Sequence, residues 1–339
     1  MDLSHILKER LLDGCFIENP VDLLYLTGLN LSKGSLLIHA EGTQLFVDGR
    51  YFEAAKQKSP FPVRLSDEEA LREALQGRVG FDSAFVTYEG YRKLCASYPN
   101  VEWVPIPNLL KDWRVCKSAN EIKALKRAAK VTQDGYRHIR SLLKEGISEE
   151  ELAFEFEFFC RKQGASGLSF EPIIAFGENS AYPHYRAGKT LLKNNQVVLI
   201  DVGAIFDQYR GDMTRTLFFG KPDPKIFHLF EVVERAQKLA VKAVCPGIRL
   251  GRLDEIVREE FRKEGLEELF THSLGHGIGL ETHEYPRLKW NGEDADLILR
   301  SGMVFTIEPG LYQPGLGGIR YEDTVLVTDS GCDNFYAQL

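Results

Sequence analysis

The chain has 339 residues, of which 44% are hydrophobic and 27% are charged, a composition typical of a soluble globular protein. This length exceeds the size at which a single hydrophobic core usually keeps growing, so we expect two domains. The net charge of −7 and the lack of a long basic run argue against nucleic acid as a partner.

The sequence shows no segment typical of export or membrane insertion. Residues 1–14 mix charges into apolar positions, which indicates an amphipathic helix rather than a signal peptide. No run approaches the roughly 20 apolar residues that a membrane span needs. The six cysteines form no Cys-x-x-Cys pair and indicate reduced thiols. We therefore expect a cytoplasmic protein without membrane partners.

Residues 1–112 alternate short helical and strand patterns, which predicts a small N-terminal α/β domain. Pro105, Pro107 and residues 108–117 indicate a linker. The predicted strands are 35–39, 44–47, 78–81 and 101–104, and the predicted helices are 67–75 and 89–96.

Residues 113–339 form the second predicted domain. Ser118-Ala-Asn-Glu121 and Ser148-Glu-Glu-Glu151 are capping boxes, and they predict two helices that end near residues 144 and 163. Further helices are predicted at about 225–244 and 252–264, and β-rich runs at 173–176, 196–206, 213–219, 303–307 and 319–327. This order predicts an α+β domain with a curved antiparallel sheet.

Four acidic residues lie in or beside these apolar runs. Asp201 ends the apolar stretch 197–200, and Asp212 follows eleven residues later at the start of the run 213–219, so a hairpin would bring the two carboxylates together. Glu308 ends a third run, and Glu322 precedes residues 324–327. A buried carboxylate costs several kcal/mol unless its charge is neutralised. The set therefore predicts hard divalent cations.

His276 is the candidate neutral ligand, within Gly275-His-Gly-Ile-Gly279. The glycines let the backbone approach closely while the imidazole stays accessible. Taken singly, an acidic residue at a strand end is more often a cap or turn residue than a ligand. Five candidates in one domain favour a site for two metal ions, which can polarise a carbonyl group and activate water.

The pattern resembles the five-ligand signature of the pita-bread metallopeptidases, which comprise methionine aminopeptidase, aminopeptidase P and prolidase. The matching segments are Asp201-x10-Asp212, Gly275-His276-Gly-Ile-Gly, Thr306-Ile-Glu308-Pro-Gly and Arg320-Tyr-Glu322-Asp. The resemblance covers about residues 118–339 and implies a pita-bread fold in which Asp212 and Glu322 bridge two ions. It favours Mn²⁺, and this oxygen-rich set also tolerates Co²⁺, Zn²⁺ or Fe²⁺.

Further segments resemble the proline-specific branch of that family. They are Ser180-Ala-Tyr-Pro-His184, His283-Glu-Tyr-Pro286, His272 and Arg320. The N-terminal domain also fits this branch and its creatinase-like domain, because methionine aminopeptidases generally lack one. The resemblance implies that His184 and His283 stabilise charge in the transition state and that Glu308 carries a proton to the leaving nitrogen. It also implies that Arg320 orients a ligand carboxylate and that the protein is a homodimer.

Within this branch two activities remain open. An Xaa-Pro aminopeptidase accepts longer proline-containing peptides, whereas a prolidase must bind the C-terminal carboxylate of a dipeptide. Arg287 is either that carboxylate clamp or a solvated surface residue. Of the two activities, the sequence favours the aminopeptidase. Phe170, Phe176 and Tyr185 are candidates for a proline-ring pocket, and Tyr312 is expected to be a packing residue.

Two other functions compete with this interpretation. A methionine aminopeptidase would use the same ligands and prefer Met-Ala peptides to Xaa-Pro peptides. A non-enzymatic binding protein on the same fold is the alternative of another class. Family members that act without metal usually depart from the ligand set, so the retention of all five residues favours an enzyme.

Overall fold

The computed structural model describes residues 7–8 and 10–337, so most of the helix predicted for residues 1–14 lies outside the described residues. The chain divides into two compact units, Met1–Asp112 and Trp113–Leu339. All six cysteines are free thiols. No helix within the described part of the chain is long and apolar enough to cross a membrane.

The first unit contains a six-stranded mixed sheet in the order β4-β3-β2-β1-β5-β6. Its strands are β1 (Gly14–Ile17), β2 (Ser35–His39), β3 (Gly42–Val47), β4 (Val63–Leu65), β5 (Gly77–Asp82) and β6 (Val101–Ile106). Its helices are α1 (Pro20–Thr27), α2 (Phe52–Lys58), α3 (Glu68–Ala74) and α4 (Tyr88–Ser97). The pairs β1–β2 and β2–β3 are antiparallel, and the remaining pairs are parallel.

The predicted linker is wrong at its start. Pro105 lies inside β6, opposite Phe81 of β5. β6 is an edge strand, where proline is tolerated because its missing N–H would point away from the sheet. Residues 108–117 also contain a short helix, α5 (Lys111–Arg114).

The second unit opens with two long helices, α6 (Ala119–Ser141) and α7 (Glu149–Lys162). Both predicted capping boxes are confirmed. In α6 the backbone N–H of Ser118 donates to Glu121 Oε2 over 2.9 Å, and in α7 that of Ser148 donates to Glu151 Oε2 over 2.8 Å. The helices therefore begin where the sequence predicts, because their first N–H groups are satisfied locally.

The rest of the second unit is antiparallel sheet crossed by two helices, α8 (Pro224–Ala243) and α9 (Leu250–Lys263). One sheet has the order β12-β9-β8, a second β14-β13-β15-β18-β19, and two smaller ones β11-β10-β7 and β16-β17. The strands are β7 (Gly167–Leu168), β8 (Ile173–Phe176), β9 (Gln196–Val202), β10 (Ala204–Phe206), β11 (Tyr209–Arg210), β12 (Met213–Phe219), β13 (Gly275–Gly277), β14 (Glu284–Leu288), β15 (Val304–Ile307), β16 (Gly310–Gln313), β17 (Gly317–Arg320), β18 (Asp323–Val327) and β19 (Cys332–Asn334). The predicted α+β class is confirmed.

Two predicted strands are interrupted in the structure. The run 196–206 breaks at Gly203, where an added Cβ would lie 2.2 Å from the carbonyl oxygen of Gly211. The run 319–327 breaks at Tyr321 and Glu322, between β17 and β18. There the backbone N–H of Glu322 donates to Thr214 O over 3.1 Å and joins the two larger sheets. Apolar content alone could not reveal either break.

Each pair of helices covers one of the larger sheets. Residues of α6 and α7 share a hydrophobic cluster with β8, β9 and β12. Residues of α8 and α9 share another with β15 and β18. The strands that carry the acidic residues are thereby fixed by apolar packing, the main favourable contribution to folding.

Glu284, the first residue of β14, anchors the turn that carries His283. Its side chain is 4% exposed and accepts hydrogen bonds from Arg114 Nη2 (2.6 Å), Lys117 Nζ (2.8 Å) and the backbone N–H of Glu281 (3.0 Å). Burial would raise the pKa of Glu284, but the charges of Lys117 and Arg114 outweigh it and hold the pKa below its usual value. Arg114 also pairs with Glu281.

We predict that Glu284→Gln lowers the free energy of unfolding of the second unit by about 3–5 kcal/mol at pH 7, because the buried Lys117 loses this carboxylate partner and Arg114 keeps only its pair with Glu281. Glu284 has a lower pKa in the folded state, so its contribution is complete above the unfolded pKa of about 4.3 and declines as the pH falls through the folded pKa. Urea unfolding of wild type and variant from pH 7 to pH 3.5 should therefore show a difference that narrows below about pH 4.3.

The control for this prediction is Glu102→Gln. Glu102 is 64% exposed and pairs with Arg78, so its replacement should change stability by less than about 1 kcal/mol. Equal losses in the two variants would contradict the anchoring role of Glu284.

Candidate metal centre and active-site cavity

Two of the predicted ligands lie on the paired strands β9 and β12. Asp201 in β9 is opposite Thr214 in β12, and Asp212 directly precedes β12. Asp201 is 7% exposed and Asp212 is 3% exposed. The chain between them forms the β10–β11 hairpin, so the expected meeting of two buried carboxylates is observed.

Two more carboxylates come from the second large sheet. Glu308 follows β15, and Glu322 lies between β17 and β18. Glu322 Oε2 accepts a hydrogen bond of 2.7 Å from Thr214 Oγ1, the residue paired with Asp201. The two sheets thus bring their acidic residues to one place.

His276 in β13 completes the group. Its Nε2 atom is 3.5 Å from Glu308 Oε1 and 3.7 Å from Asp212 Oδ2. Asp212, His276 and Glu322 each offer one ligand atom, and these atoms lie within 4.8 Å of one another. The other ring nitrogen, Nδ1, is 3.1 Å from the carbonyl oxygen of Gly277 and must be its donor. The lone pair is then on Nε2 and faces the carboxylates, as in a metal-binding histidine.

The glycines beside His276 are required by close packing. A Cβ atom on Gly275 would lie 2.0 Å from Thr306 O, and one on Gly277 would lie 2.3 Å from Tyr285 O. Strand β13 therefore lies tightly between β14 and β15, in agreement with the glycine pattern of the sequence. This packing fixes the position of the imidazole.

The electrostatics of the group favour added cations. Burial first, and neighbouring carboxylates second, raise the pKa values of Asp212 and Glu322. Burial also raises the pKa of Glu308 to about 8, while Arg320 opposes this rise. Burial lowers the pKa of His276 to about 3, so the imidazole is neutral and does not compensate the carboxylates.

The donor set fits divalent metal ions. Arg320 Nη2 donates to Asp201 Oδ2 over 2.6 Å, but the buried Asp201 Oδ1 has no hydrogen-bond partner among the described residues. Carboxylate oxygens and one imidazole nitrogen suit Mn²⁺ and related ions. The residues present therefore match the two-metal group that the resemblance implies.

A buried hydrogen-bond chain extends from Arg320. Arg320 Nη1 donates to the Tyr312 hydroxyl (2.7 Å), which lies 2.8 Å from His272 Nε2. His272 Nδ1 is 2.8 Å from the carbonyl oxygen of Ser273, so Nδ1 is the donor and Nε2 accepts the Tyr312 proton. Burial lowers the pKa of His272 to about 4 and raises that of Tyr312 to about 12, so both are neutral.

Tyr312 is more than the packing residue that the sequence predicts. It is buried, as a packing residue would be, but its hydroxyl joins Arg320 to His272. The connection depends on the β16–β17 pairing, which places Tyr312 opposite Gly318. No local pattern around Tyr312 could have indicated this partner.

The group opens into a cavity of about 600 Å³. All predicted site residues line it: Asp201, Asp212, His276, Glu308, Glu322, His184, His283, His272, Arg320 and Arg287. Phe170 and Tyr185 of the expected ring pocket also line it. Phe176 does not, because it is 1% exposed within the core beneath α6 and α7. Phe176 is therefore excluded from the ring pocket.

Histidines and arginines also line this cavity. The rings of His276 and His283 have centroids 4.2 Å apart. Burial and the neighbouring His184 lower the pKa of His283. Arg287 is paired with His276 across β13 and β14, which places it beside the acidic group although its side chain is exposed.

Comparisons with known proteins identify related sequences over almost the whole chain. The Xaa-Pro dipeptidase of Pyrococcus furiosus is 35% identical over 333 residues, which cover 97% of this chain and 94% of that protein. An uncharacterized peptidase of Bacillus subtilis is 35% identical over 337 residues, with 97% and 95% coverage.

Solved structures give the same picture. A prolidase from Pyrococcus furiosus has a TM-score of 0.93 at 34% identity and covers 99% of this chain and 100% of that one. An X-Pro aminopeptidase from Thermotoga maritima has a TM-score of 0.88 at 30% identity, with 98% and 97% coverage. Residues 2–116 match the creatinase/prolidase N-terminal domain, and residues 123–329 match metallopeptidase family M24. The chain therefore belongs to metallopeptidase family M24.

Proposed function

We propose that this metallopeptidase hydrolyses Xaa-Pro dipeptides. The observation that carries the proposal is the position of Arg287, which lines the same cavity as the five candidate ligands and is paired with His276 across two strands. A dipeptidase needs a cation beside its metal centre to hold the substrate's C-terminal carboxylate. Relatives named Xaa-Pro dipeptidase or prolidase align with this chain over at least 94% of their length.

In this proposal five residues would hold two divalent ions, preferably Mn²⁺: Asp201, Asp212, His276, Glu308 and Glu322. Of these, Asp212 and Glu322 would contribute to holding both ions. When bound, the ions polarise the scissile carbonyl group and lower the pKa of water towards neutrality. Asp201 is oriented by its ion pair with Arg320.

The chain's own residues complete the chemistry. Glu308 is at the cavity surface with a side chain 17% exposed, and it carries a proton to the leaving nitrogen. That proton is needed because an amide nitrogen is a poor leaving group as an anion, and in an Xaa-Pro bond the leaving nitrogen is that of the proline ring, which carries no N–H in the peptide. His184 and His283 line the cavity and stabilise the negative charge that develops on the carbonyl oxygen.

The cavity has one apolar region as well as charged ones. Phe170, Ile173 and Tyr185 line it and offer an apolar wall to the proline ring. Arg287 then binds the carboxylate that follows the ring. His272 contacts the substrate less directly, because both of its nitrogens are engaged by Tyr312 and Ser273.

The second candidate is an Xaa-Pro aminopeptidase, which the sequence analysis favoured. The TM-score of 0.88 to an X-Pro aminopeptidase supports it. The solvent exposure of Arg287 also supports it, since a peptide longer than two residues would have to extend past Arg287 into solvent. Substrate length separates the two candidates.

We predict that protein stripped with a chelator gains stability on addition of Mn²⁺, by about 2.7 kcal/mol at one hundred times the dissociation constant. Differential scanning calorimetry and metal analysis measure this gain. Asp212→Asn should abolish it, whereas Asp207→Asn should retain it, because Asp207 lies on the connecting hairpin and pairs with the exposed Arg127. Absence of metal uptake by the wild type would remove the basis for the proposed chemistry.

We predict that the Mn²⁺-loaded protein hydrolyses Ala-Pro and leaves Ala-Pro-Ala intact, as followed by release of free proline or alanine. Asp201→Asn should be inactive. Arg287→Gln should lower kcat/KM for Ala-Pro by about 10- to 100-fold, chiefly through KM, because a charge-assisted hydrogen bond to the carboxylate is lost. Arg300→Gln is the control, since Arg300 is exposed and does not line the cavity. Cleavage of Ala-Pro-Ala after alanine, unaffected by Arg287→Gln, would establish the aminopeptidase instead.

A further inference from the structure

Glu149, the first residue of α7, is a buried carboxylate that the proposed chemistry does not use. It is 0% exposed and does not line the cavity. Its Oε1 accepts hydrogen bonds from the Phe176 N–H and Asn179 Nδ2, both at 2.9 Å. Its Oε2 accepts from the Tyr185 hydroxyl at 2.8 Å and the Gly188 N–H at 3.2 Å. Four donors thus satisfy a charge that burial would otherwise penalise.

Most of these donors belong to the segment that carries His184. We call residues 177–190 the His184 segment. Three of the four donors to Glu149 lie in it, and four of its residues line the cavity: Pro183, His184, Tyr185 and Arg186. The backbone of α7 adds two contacts, because the N–H of Glu149 donates to Thr190 O and that of Glu150 donates to Gly188 O.

The opposite flank of the His184 segment is held by β17. Ser180 Oγ accepts a hydrogen bond of 2.8 Å from the Gly318 N–H, and Arg320 Nη1 donates to Pro183 O over 3.4 Å. The His184 imidazole is exposed and has no hydrogen-bond partner among the described residues. Its position is therefore set by the backbone on either side of it.

A simpler role for Glu149 is an acidic residue that favours the N-terminus of a helix. That role does not explain its contacts. Glu151 already completes the capping box of α7 with Ser148, and all four donors to Glu149 come from residues 176–188 rather than from the helix. The carboxylate is directed at the segment.

We propose that Glu149 is a positioning residue that fixes His184 and Tyr185 at the cavity wall and thereby sets substrate affinity. The kinetic part of this inference rests on the proposed function. The structural part does not, because it concerns only how firmly the His184 segment is held.

The first test is limited trypsin digestion of the Mn²⁺-loaded full chain, followed by mass spectrometry. Arg186 and Lys189 are exposed cleavage sites within the segment. Glutamine has one oxygen and one NH₂ group. In Glu149→Gln the NH₂ group therefore lies against one pair of donors, and the hydrogen bonds on that side are lost. Cleavage after Arg186 and Lys189 should become at least tenfold faster, with unchanged cleavage after Lys126 and Arg127 in α6. Glu150→Gln, the neighbouring acid, should digest like the wild type.

The second test is kinetic. Glu149→Gln should raise KM for Ala-Pro by about tenfold with kcat reduced less, and with Mn²⁺ content unchanged. Tyr185→Phe keeps the ring and removes one donor, so it should show a smaller change in the same direction and serves if Glu149→Gln does not fold. If both variants matched the wild type in digestion rate and in KM, the inference would be overturned. Faster cleavage throughout the chain would overturn it as well. A wild type inactive on Xaa-Pro peptides would refute the proposed function, while the digestion would still decide the role of Glu149.

Discussion

The main physical constraint on the second unit is the repulsion among four carboxylates, which two sheets bring together in a buried place. Arg320 pairs with one of these carboxylates, that of Asp201, and the His276 imidazole is neutral. Such a cluster is unfavourable without cations, so metal binding and folding stability must be coupled. The tight glycine strand beside His276 and the interrupted strands at Gly203 and Glu322 are consequences of the same requirement, since each lets an acidic or imidazole group reach one point.

The position of Glu322 shows how the fold supports this centre from behind. Arg215 Nη1 donates to the carbonyl oxygen of Glu322 over 2.6 Å, and Nη2 donates to Asp323 Oδ1 over 2.6 Å. The Arg215 guanidinium also lies 4.1 Å from the centre of the Tyr321 ring. Asp323 in turn accepts hydrogen bonds from Gln237 and Asn334. A residue between two strands is therefore held rigidly by a buried network that does not enter the cavity.

The sequence predicted what local patterns encode. Asp201 and Glu308 are charged residues at the ends of apolar runs, Ser118 and Ser148 open capping boxes, and the glycines mark close packing around His276. Tyr312, Arg215 and Glu149 carry no such signal, because their roles come from partners far away in the sequence, such as Glu149 and Tyr185 at a separation of 36 residues. The linker prediction fails at Pro105 for a related reason, since only the sheet order shows that β6 is an edge strand, in which proline is tolerated.

The Thr214–Glu322 contact joins segments 108 residues apart, and it has a consequence for the order of folding events. Asp201 and Asp212 come together within one local hairpin, but Glu308 and Glu322 reach them only after this long chain closure. Contacts of such high sequence separation form late and slowly. A metal ion that meets the nascent chain finds only Asp201 and Asp212, two of the five candidate donors, and these two hold it weakly. Tight metal binding would therefore follow the assembly of the second unit and would not nucleate its folding.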